Sequence, residues 1–347
     1  MQSQKSGNYV IKRSILDGFS FAFLISAVAV YIIQPTDEQA LNMKLNSILF
    51  AAVFILGIFI SKFLNQSGIK TLGESVFEPA HKKAVQSEVW YKTFSNWHLI
   101  ILMLGLFIVG IIKTKFSIPE LLDVDGFNGA RRLFKGIFTP NFDILPKAIL
   151  NIIETIFMAF MATILAIPFA FVLSFVSAKN IMSGSQVTFA FYLAMRTLFN
   201  VMRSIEAIVW AIIFSIWVGI GPFAGMLALM IHSIASLAKQ YSEMVETVNE
   251  GPIEGVQSCG ANKLQTIWFA IVPQVILPYV SFTVYRWDIN VRMATIIGLV
   301  GGGGIGTLLV QYQGQAMWPE VGTIILVIAV VVWIMDQASA YLREALK

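Results

Sequence analysis

Long runs of apolar residues are the feature that most constrains what this chain can fold into. Hydrophobic residues make up 57% of the chain and charged residues only 13%, whereas soluble domains are about 45–50% apolar and about 25% charged. Several runs can cross the ~30 Å hydrocarbon layer of a bilayer at about 1.5 Å per residue. The two-residue alternation of a membrane β-barrel is absent. The sequence therefore predicts an all-α polytopic membrane protein.

Eight apolar segments are expected to cross the membrane. We expect residues 1–145 to form an N-terminal extension and residues 146–347 to form the main core of the protein. A polar stretch, 65–96, separates the second and third segments and is assigned to the cytoplasm. The predicted spans are 16–33, 45–64 and 97–112 in the extension, and 146–176, 187–218, 222–239, 267–290 and 321–342 in the core.

Basic residues suggest the orientation of the chain. Lys5, Lys12 and Arg13 precede the first span, and cytoplasmic loops are enriched in Lys and Arg. Eight crossings then place both termini and the polar loop 240–266 in the cytoplasm. The loop 113–145 falls outside although it is basic, so this rule alone does not decide the orientation.

The segment 187–218 is counted as one broken crossing. It contains Arg196, Arg203 and Glu206, which are costly in lipid unless they face a protein interior or an aqueous cavity. We expect a kink or break at Arg203-Ser204. The following Gly219-Ile-Gly221-Pro222 is expected to form an external turn, since proline suits a first helical position.

The polar loop 240–266 carries the pattern of a short helix. Gly251-Pro252 can begin it, and Glu254 near its start suits the helix dipole. Gly260 permits the left-handed turn that ends such a helix. Pro273 then falls in the first turns of the next membrane helix. The alternative is an ordinary cytoplasmic loop that contains a helix.

The spacing of Glu254, Gly260 and Pro273 resembles the loop by which permeases of ABC importers contact their ATPase. Gly255 and Val256 stand where that pattern has two alanines. The flanking sequence resembles phosphonate ABC transporter permeases in order and spacing over residues 154–306. The segments that carry this resemblance are 203–210, 218–229, 232–233, 250–254, 273–278, 285–292, 294–295 and 298–306. The chain departs from the family at Glu206, where proline is usual, and at Gly302 or Gly303, where alanine is usual.

This resemblance implies a five-helix type I ABC importer permease core preceded by three extra helices. It implies a homodimer, a separate ABC ATPase that uses ATP and Mg, and an external substrate-binding protein. It also implies the inner membrane of a prokaryote. The chain itself would bind no cofactor and catalyse no reaction. The cytoplasmic assignment of 240–266 is kept because this loop would have to reach the ATPase.

Charged residues in the predicted span 267–290 and just beyond it are candidates for a substrate path. Arg286 and Asn290 share one helix face, and Asp288 and Arg292 share another. Arginine suits the oxygens of a tetrahedral phosphorus anion. A structural ion pair is the alternative for Asp288 and Arg292. Arg203 and Glu206 are added to the path candidates, although Glu–Arg pairs between helices would also account for the charges at Glu154, Arg196, Arg203 and Glu206.

A glycine run follows this cluster and matches G-x-G-x-x-G. A dinucleotide site would need a preceding strand in a soluble βαβ unit, and a P-loop would need Lys-Ser/Thr after the glycines. The apolar surroundings instead favour close helix packing or a re-entrant turn near the outer face. The glycines assigned to this packing or to a gate are Gly301, Gly302, Gly303, Gly304 and Gly306.

Two other classes of function are the alternatives to an ATP-driven permease. An ATP-independent secondary transporter or channel for a small anion would work without an ATPase. A membrane enzyme would need a nucleophile with a base, and no such set stands out.

No dense basic run indicates nucleic-acid binding, and His98 and His232 lack metal-ligand spacing. The lone cysteine, Cys259, excludes an internal disulfide and is expected to be a packing residue.

Overall fold

Helices form all the regular structure in the described part of the chain. The computed structural model describes residues 2–28, 43–67, 69–77 and 93–345. The chain divides into two compact units, Met1–Gly126 and Phe127–Lys347, so the division falls before the boundary predicted at residue 145. The end of the first predicted span, half of the polar stretch 65–96 and the last two residues lie outside the described residues.

The first unit is a small helical bundle in which glycines allow two helices to touch. A Cβ atom at Gly57 would lie only 3.0 Å from the Cα of Gly18, and small residues permit such close contact between membrane helices. Its helices are α1 (Gln2–Val28), α2 (Met43–Gln66), α3 (Leu72–Phe77), α4 (Phe94–Lys113) and α5 (Ile118–Leu121).

A buried carboxylate joins three helices of this unit. Asp17 of α1 is 0% exposed. It accepts hydrogen bonds from the Ser61 hydroxyl at 2.6 Å and from the Gly73 amide at 2.6 Å. A buried charge needs such partners, so Asp17 fixes α2 and the start of α3 against α1. On α4, His98 stacks on Phe21 with 4.4 Å between ring centroids.

The second unit contains the longer helices. It begins within α6 (Val124–Ile137), and a 3₁₀ turn (Phe142–Ile144) leads into α7. The elements that follow are α7 (Leu145–Val176), α8 (Lys179–Met182), α9 (Gln186–Ser204), α10 (Ala207–Val218), α11 (Pro222–Glu246), α12 (Glu250–Ser258), α13 (Lys263–Thr266), a π-helical turn (Ile267–Ile271), α14 (Val272–Ile297), a 3₁₀ turn (Gly298–Val300), α15 (Gly304–Gly314) and α16 (Trp318–Ala345).

Six helical segments within the described residues are long and apolar enough to cross a membrane, and a bent pair makes a seventh if it is counted as one span. The predicted total of eight is therefore not confirmed, because α1 is not among them. The second unit holds four of the six and the bent pair, which matches the predicted five-helix core. The six are Asn46–Leu64, Phe94–Lys113, Phe142–Val176, Pro222–Glu246, Lys263–Val300 and Trp318–Ala345, and the pair is Gln186–Ser204 with Ala207–Val218.

Helices α7 and α11 form the centre of the second unit, and their contact is built from small residues. Alanine lets two helix backbones approach closely without leaving a gap, and the cores on either side of this contact pack Met158, Phe199 and Leu229. The fully buried alanines are Ala159, Ala162, Ala166 and Ala170 on α7 and Ala224, Ala228, Ala235 and Ala238 on α11.

The glycine run lies in a loop between α14 and α15 that packs against the start of α11. Gly303 has φ +78°, and a Cβ atom there would lie 2.6 Å from the nitrogen of Pro222. The Gly221 amide donates to the Gly301 carbonyl at 2.9 Å. Only glycine combines this backbone conformation with such close approach. The predicted close packing is confirmed.

Two side chains of α7 complete this loop. The Gly304 amide donates to the Glu154 carboxylate at 3.2 Å, and the Ile305 amide donates to the Thr155 hydroxyl at 2.9 Å. These amides lie in the first turn of α15, where a helix has no backbone acceptor for them. A carboxylate is favourable there because the start of a helix carries the positive end of its dipole. The Glu–Arg pair expected at Glu154 is therefore wrong, because its carboxylate caps α15.

Two glycines of α15 offer a matched test of this packing. A Cβ atom at Gly306 would collide with the carbonyl of Thr295 and lie 2.8 Å from the Cα of Gly298, whereas nothing lies within 4 Å at Gly314. We expect Gly306→Ala to cost about 1–3 kcal/mol through overpacking. Gly314→Ala should leave the thermal unfolding midpoint of the detergent-solubilised protein unchanged. Equal midpoints for both variants would contradict the close contact.

Candidate functional site

The polar loop after α11 folds into the expected short helix, α12. Asn249 is its N-cap, and Pro252 lies in the first turn, where an amide has no intrahelical partner. The chain leaves the helix through Gly260, which has φ +81°. The predicted helix and its left-handed end are confirmed. One detail is corrected: Glu250 occupies the first turn beside the helix dipole, while Glu254 lies a full turn later.

The surface of α12 is open to solvent in the isolated chain. No residue of α12 is buried, and Gly251, Pro252 and Glu254 are exposed. Cys259, which follows the helix, is exposed as well. The packing role expected for Cys259 is therefore wrong, and the whole outer face of α12 is free to receive another surface.

A π-helical turn connects this loop to the long helix α14. Pro273 is the second residue of α14, directly after the turn Ile267–Ile271. Proline lacks an amide hydrogen, and its ring clashes with the carbonyl of the residue four positions earlier. A π-turn relieves this clash by widening the helix locally. Pro273 thus lies in the first turn of α14, as predicted, and the apolar stretch that begins at Lys263 includes the short helix and the π-turn before it.

Gln274 ties the start of α12 to the start of α14. Its side-chain oxygen accepts from the Asn249 amide at 3.0 Å. Its side-chain nitrogen donates to the Ala270 carbonyl at 2.7 Å, within the π-turn, and to the Asn249 carbonyl at 3.5 Å. We call this arrangement the Gln274 clamp. Sequence reasoning missed it, although an amide side chain in an apolar run was a visible signal.

A second polar cluster lies deep inside the second unit. The Arg286 Nε donates to the Ser233 hydroxyl at 3.1 Å, and the Asn290 amide donates to Ser233 at 2.8 Å and to Thr163 at 2.9 Å. Ser233 lies roughly midway along α11, about 17 Å from its start. The predicted shared face of Arg286 and Asn290 is confirmed. This Arg286 cluster joins α7, α11 and α14.

One edge of the buried Arg286 guanidinium is unpaired. Arg286 is 7% exposed, yet its Nη2 has no hydrogen-bond partner among the described residues. The same holds within that range for the side-chain oxygen of Asn290 and the Nδ1 of His232. A buried donor without a partner costs about 1–3 kcal/mol, and more when charged. The Arg286 cluster therefore holds a buried, charged donor whose hydrogen-bonding capacity is not fully used by the described residues.

The break between α9 and α10 borders the Arg286 cluster. The two helices meet at 87°, and Ile205 is extended between them. Arg203 and Glu206 both lie within electrostatic reach of Arg286, and His232 lies within reach of Arg203 and Arg286. The predicted break at Arg203-Ser204 is confirmed, and it brings these charges to the same region as Arg286.

The second predicted face of α14 forms an ion pair. Arg292 contacts the Asp288 carboxylate at 2.5 Å and approaches Asp336 of α16 at 3.6 Å. Asp288 is 3% exposed, so this pair compensates a buried carboxylate. The structural account of Asp288 and Arg292 thus has direct geometric support, and these residues face away from Ser233.

Arg196 also forms a pair between helices, as the sequence suggested. It donates to Glu246 of α11 at 2.8 Å and lies over the ring of Tyr192 at 5.6 Å. The Glu246 carboxylate also accepts from the Lys179 amide at 2.8 Å. Glu246 therefore joins the end of α11 to the start of α8, next to the segment that enters α12.

We predict that the Gln274 clamp restrains the start of α12. Gln274→Leu removes the bond to the Asn249 amide, and a hydrogen bond is worth about 1 kcal/mol, so hydrogen exchange in a peptide covering 247–251 should accelerate roughly fivefold. Gln274→Glu keeps the acceptor and should have a smaller effect. As a control, Gln265→Leu disrupts only the local cap at Asn262. Unchanged exchange in Gln274→Leu would contradict the clamp.

Comparisons with known proteins agree with this architecture. Residues 171–346 match the family described as the binding-protein-dependent transport system inner membrane component. The phosphite transport system permease protein PtxC of Stutzerimonas stutzeri is 35% identical over 208 residues, which cover 60% of this chain and 74% of that protein. The phosphate-import permease protein PhnE of Mycolicibacterium smegmatis is 33% identical over 216 residues, covering 61% of this chain but only 40% of that protein.

A solved structure shares the fold. The permease-like part of this chain resembles a chain of the MetNI methionine ABC transporter in an inward-facing conformation, with a TM-score of 0.52 and 19% identity. The match covers 60% of this chain and 99% of that chain. Together with the family match over half of the sequence and the membrane-spanning helices, these findings show that the chain belongs to the binding-protein-dependent transport system inner membrane component family and is an integral membrane permease.

Proposed function

We propose that this chain is the transmembrane subunit of an ATP-driven importer for phosphonate or a related phosphorus oxyanion. The buried and unpaired Nη2 of Arg286 is the observation that carries the proposal. Relatives named for phosphite and phosphate transport support the class of substrate. The substrate among these anions would be selected chiefly by a separate binding protein.

The chemistry of the Arg286 cluster fits a tetrahedral oxyanion. A guanidinium group donates several hydrogen bonds in a rigid plane that matches two oxygens of such an anion. Ser233 holds the Nε edge of Arg286, so Nη2 is left for a ligand. His232 and Asn290 lie at the same depth with unused polar atoms. The cluster would therefore give a passing anion a transient partner inside the membrane.

The family match and the exposed surface of α12 support the proposed partners. The chain would form a homodimer and bind a separate ABC ATPase that uses ATP and Mg. An external substrate-binding protein would deliver the anion. In this arrangement α12 and both termini face the cytoplasm, and the complex lies in the inner membrane of a prokaryote. The permease itself would bind no nucleotide.

Helix α14 connects the exposed helix α12 with the Arg286 cluster. Its first turns carry the Gln274 clamp, and Arg286 lies twelve residues further along the same helix, about 18 Å away. Closure of the ATPases on ATP would displace α12, and the clamp would pass that displacement to α14. A shift of α14 relative to α11 would change the bonds of Arg286 and Asn290 to Ser233. Such a difference in contacts between two states is what a coupled switch requires.

Uptake by the reconstituted complex tests this proposal. We expect Arg286→Ala to lower the initial rate of methylphosphonate or phosphite uptake at least tenfold, because losing a buried charged contact costs about 2–5 kcal/mol. Arg286→Lys should retain part of the rate, since it keeps the charge but loses the planar fork. Lys62→Ala removes an exposed charge on α2, in the first unit, and serves as the control.

Two results of the uptake assay would contradict the proposal, and they contradict different parts of it. Proteoliposomes would contain the permease, its ATPase and its binding protein, and intact assembly would be checked by size-exclusion chromatography. Full uptake by assembled Arg286→Ala would refute the role of the Arg286 cluster. Uptake driven by an ion gradient in the absence of the ATPase would instead show an ATP-independent transporter or channel.

A further inference from the structure

Helix α6 is strongly amphipathic and belongs to neither the clamp nor the Arg286 cluster. On a helical projection, one half of its circumference is apolar, with Phe127, Phe134 and Ile137 near its centre. Phe127 is 65% exposed and Phe134 is 57% exposed. The opposite half is polar and mainly basic, with Asp125 as its one acidic residue. The polar half comprises Asp125, Asn128, Arg132 and Lys135, and Arg131 lies at its border.

The end of α6 is fixed against the start of α16. Gly136 lies against Trp318, where an added Cβ atom would be 2.5 Å from the Trp318 Cβ. The Asn141 amide donates to the Pro319 carbonyl at 3.1 Å, and the Thr323 hydroxyl donates to the Asn141 carbonyl at 2.6 Å. These contacts hold α6 beside the ends of the spanning helices α7 and α16.

This position lies at the end of the bundle opposite α12. Just after the C-terminal end of α7, the Lys179 amide donates a hydrogen bond to the Glu246 carboxylate. Glu246 is the last residue of α11 and precedes the loop that holds α12. The start of α7, which follows α6, is therefore a full helix length away. Helix α7 has 32 residues and is about 48 Å long. Helix α6 thus meets the bilayer at the other surface.

We propose that α6 lies flat in the lipid headgroup layer and binds anionic phospholipids through Arg131, Arg132 and Lys135. Its exposed phenylalanines would enter the upper part of the acyl chains, as in other interfacial amphipathic helices. The basic side chains would extend to the phosphates, each worth about 1 kcal/mol near an anionic surface. This lipid contact does not depend on the transported substrate. Only the leaflet rests on the proposed function, since a cytoplasmic α12 would place α6 in the outer leaflet.

Two observations favour lipid over a docked protein. Exposed apolar side chains continue from α6 into the start of α7, at Phe138, Phe142 and Leu150. Trp318, a residue type that prefers the membrane interface, lies against the end of α6. The placement also accounts for the basic loop that conflicted with the positive-inside rule. Its arginines belong to an interfacial helix, so they need not signal a cytoplasmic loop.

Spin labels on the full-length protein in lipid nanodiscs test the depth of α6. The variants Phe134→Cys and Asn128→Cys, each in a Cys259→Ser background, carry one label on each half of the helix. We expect the Phe134 label to be more accessible to oxygen than to a water-soluble nickel reagent, and the Asn128 label to show the reverse. Equal access of the nickel reagent to both labels would overturn the proposal. So would a Phe134 label that is shielded from water only after the external binding protein is added.

A second measurement tests whether the basic side chains of α6 bind anionic lipid. Energy transfer from a dye at Asn128→Cys should be at least about twofold stronger to headgroup-labelled phosphatidylglycerol than to phosphatidylcholine at equal mole fraction. Combined Arg131→Gln, Arg132→Gln and Lys135→Gln substitutions should abolish this preference without changing the depth of the Phe134 label. Equal transfer to both lipids in the unsubstituted α6 would show that the basic side chains do not bind anionic lipid.

Discussion

The need to satisfy every backbone polar group in a membrane governs this structure. A helix meets that need by itself, and broken helices are tolerated only where neighbouring protein supplies partners. The second unit breaks its helices at Ser204–Glu206, at Gly219–Gly221 and after Ile297, and it packs the last two breaks against each other. The bond from Gly221 to Gly301 joins them, and Glu154 and Thr155 satisfy the free amides that follow.

These interruptions are where the functional groups concentrate. The break between α9 and α10 brings Arg203 and Glu206 within reach of Arg286, and the break before α15 ends the helix that carries Arg286. A buried polar cluster has a well-defined geometry only when neighbouring helices hold it, and here α7 and α11 provide Thr163 and Ser233. Helix α14 then links this cluster to the Gln274 clamp, so that one continuous helix connects the exposed helix α12 with the interior of the second unit.

Local sequence patterns predicted the elements whose causes are local. The left-handed end of α12 at Gly260, the break at Arg203-Ser204 and the shared face of Arg286 and Asn290 all follow from residue type and helical spacing. The count of eight spans was less secure, because α1 carries Asp17 and polar residues, and its buried carboxylate is satisfied only by α2 and α3.

The contacts that sequence reasoning missed are long-range. Glu154 and Gly304 are 150 positions apart, and Asn290 and Thr163 are 127 apart, so no local pattern predicts that they meet. The π-turn before Pro273 also depends on contacts with distant parts of the chain, because a proline by itself can equally kink or end a helix. Gln274 was visible as a polar residue, but its partner Asn249 lies across a loop whose path the sequence does not specify.

The sidedness of α12 tests the central claim most directly, and Cys259 provides the probe because it is exposed and is the only cysteine in the chain. In intact cells that carry the full-length protein, a membrane-impermeant maleimide should leave Cys259 unlabelled until the membrane is permeabilised. In inside-out vesicles, Cys259 should react freely and become protected when the ATPase subunit is added. Labelling of Cys259 from outside intact cells would contradict the account, because α12 could then not meet an ATPase.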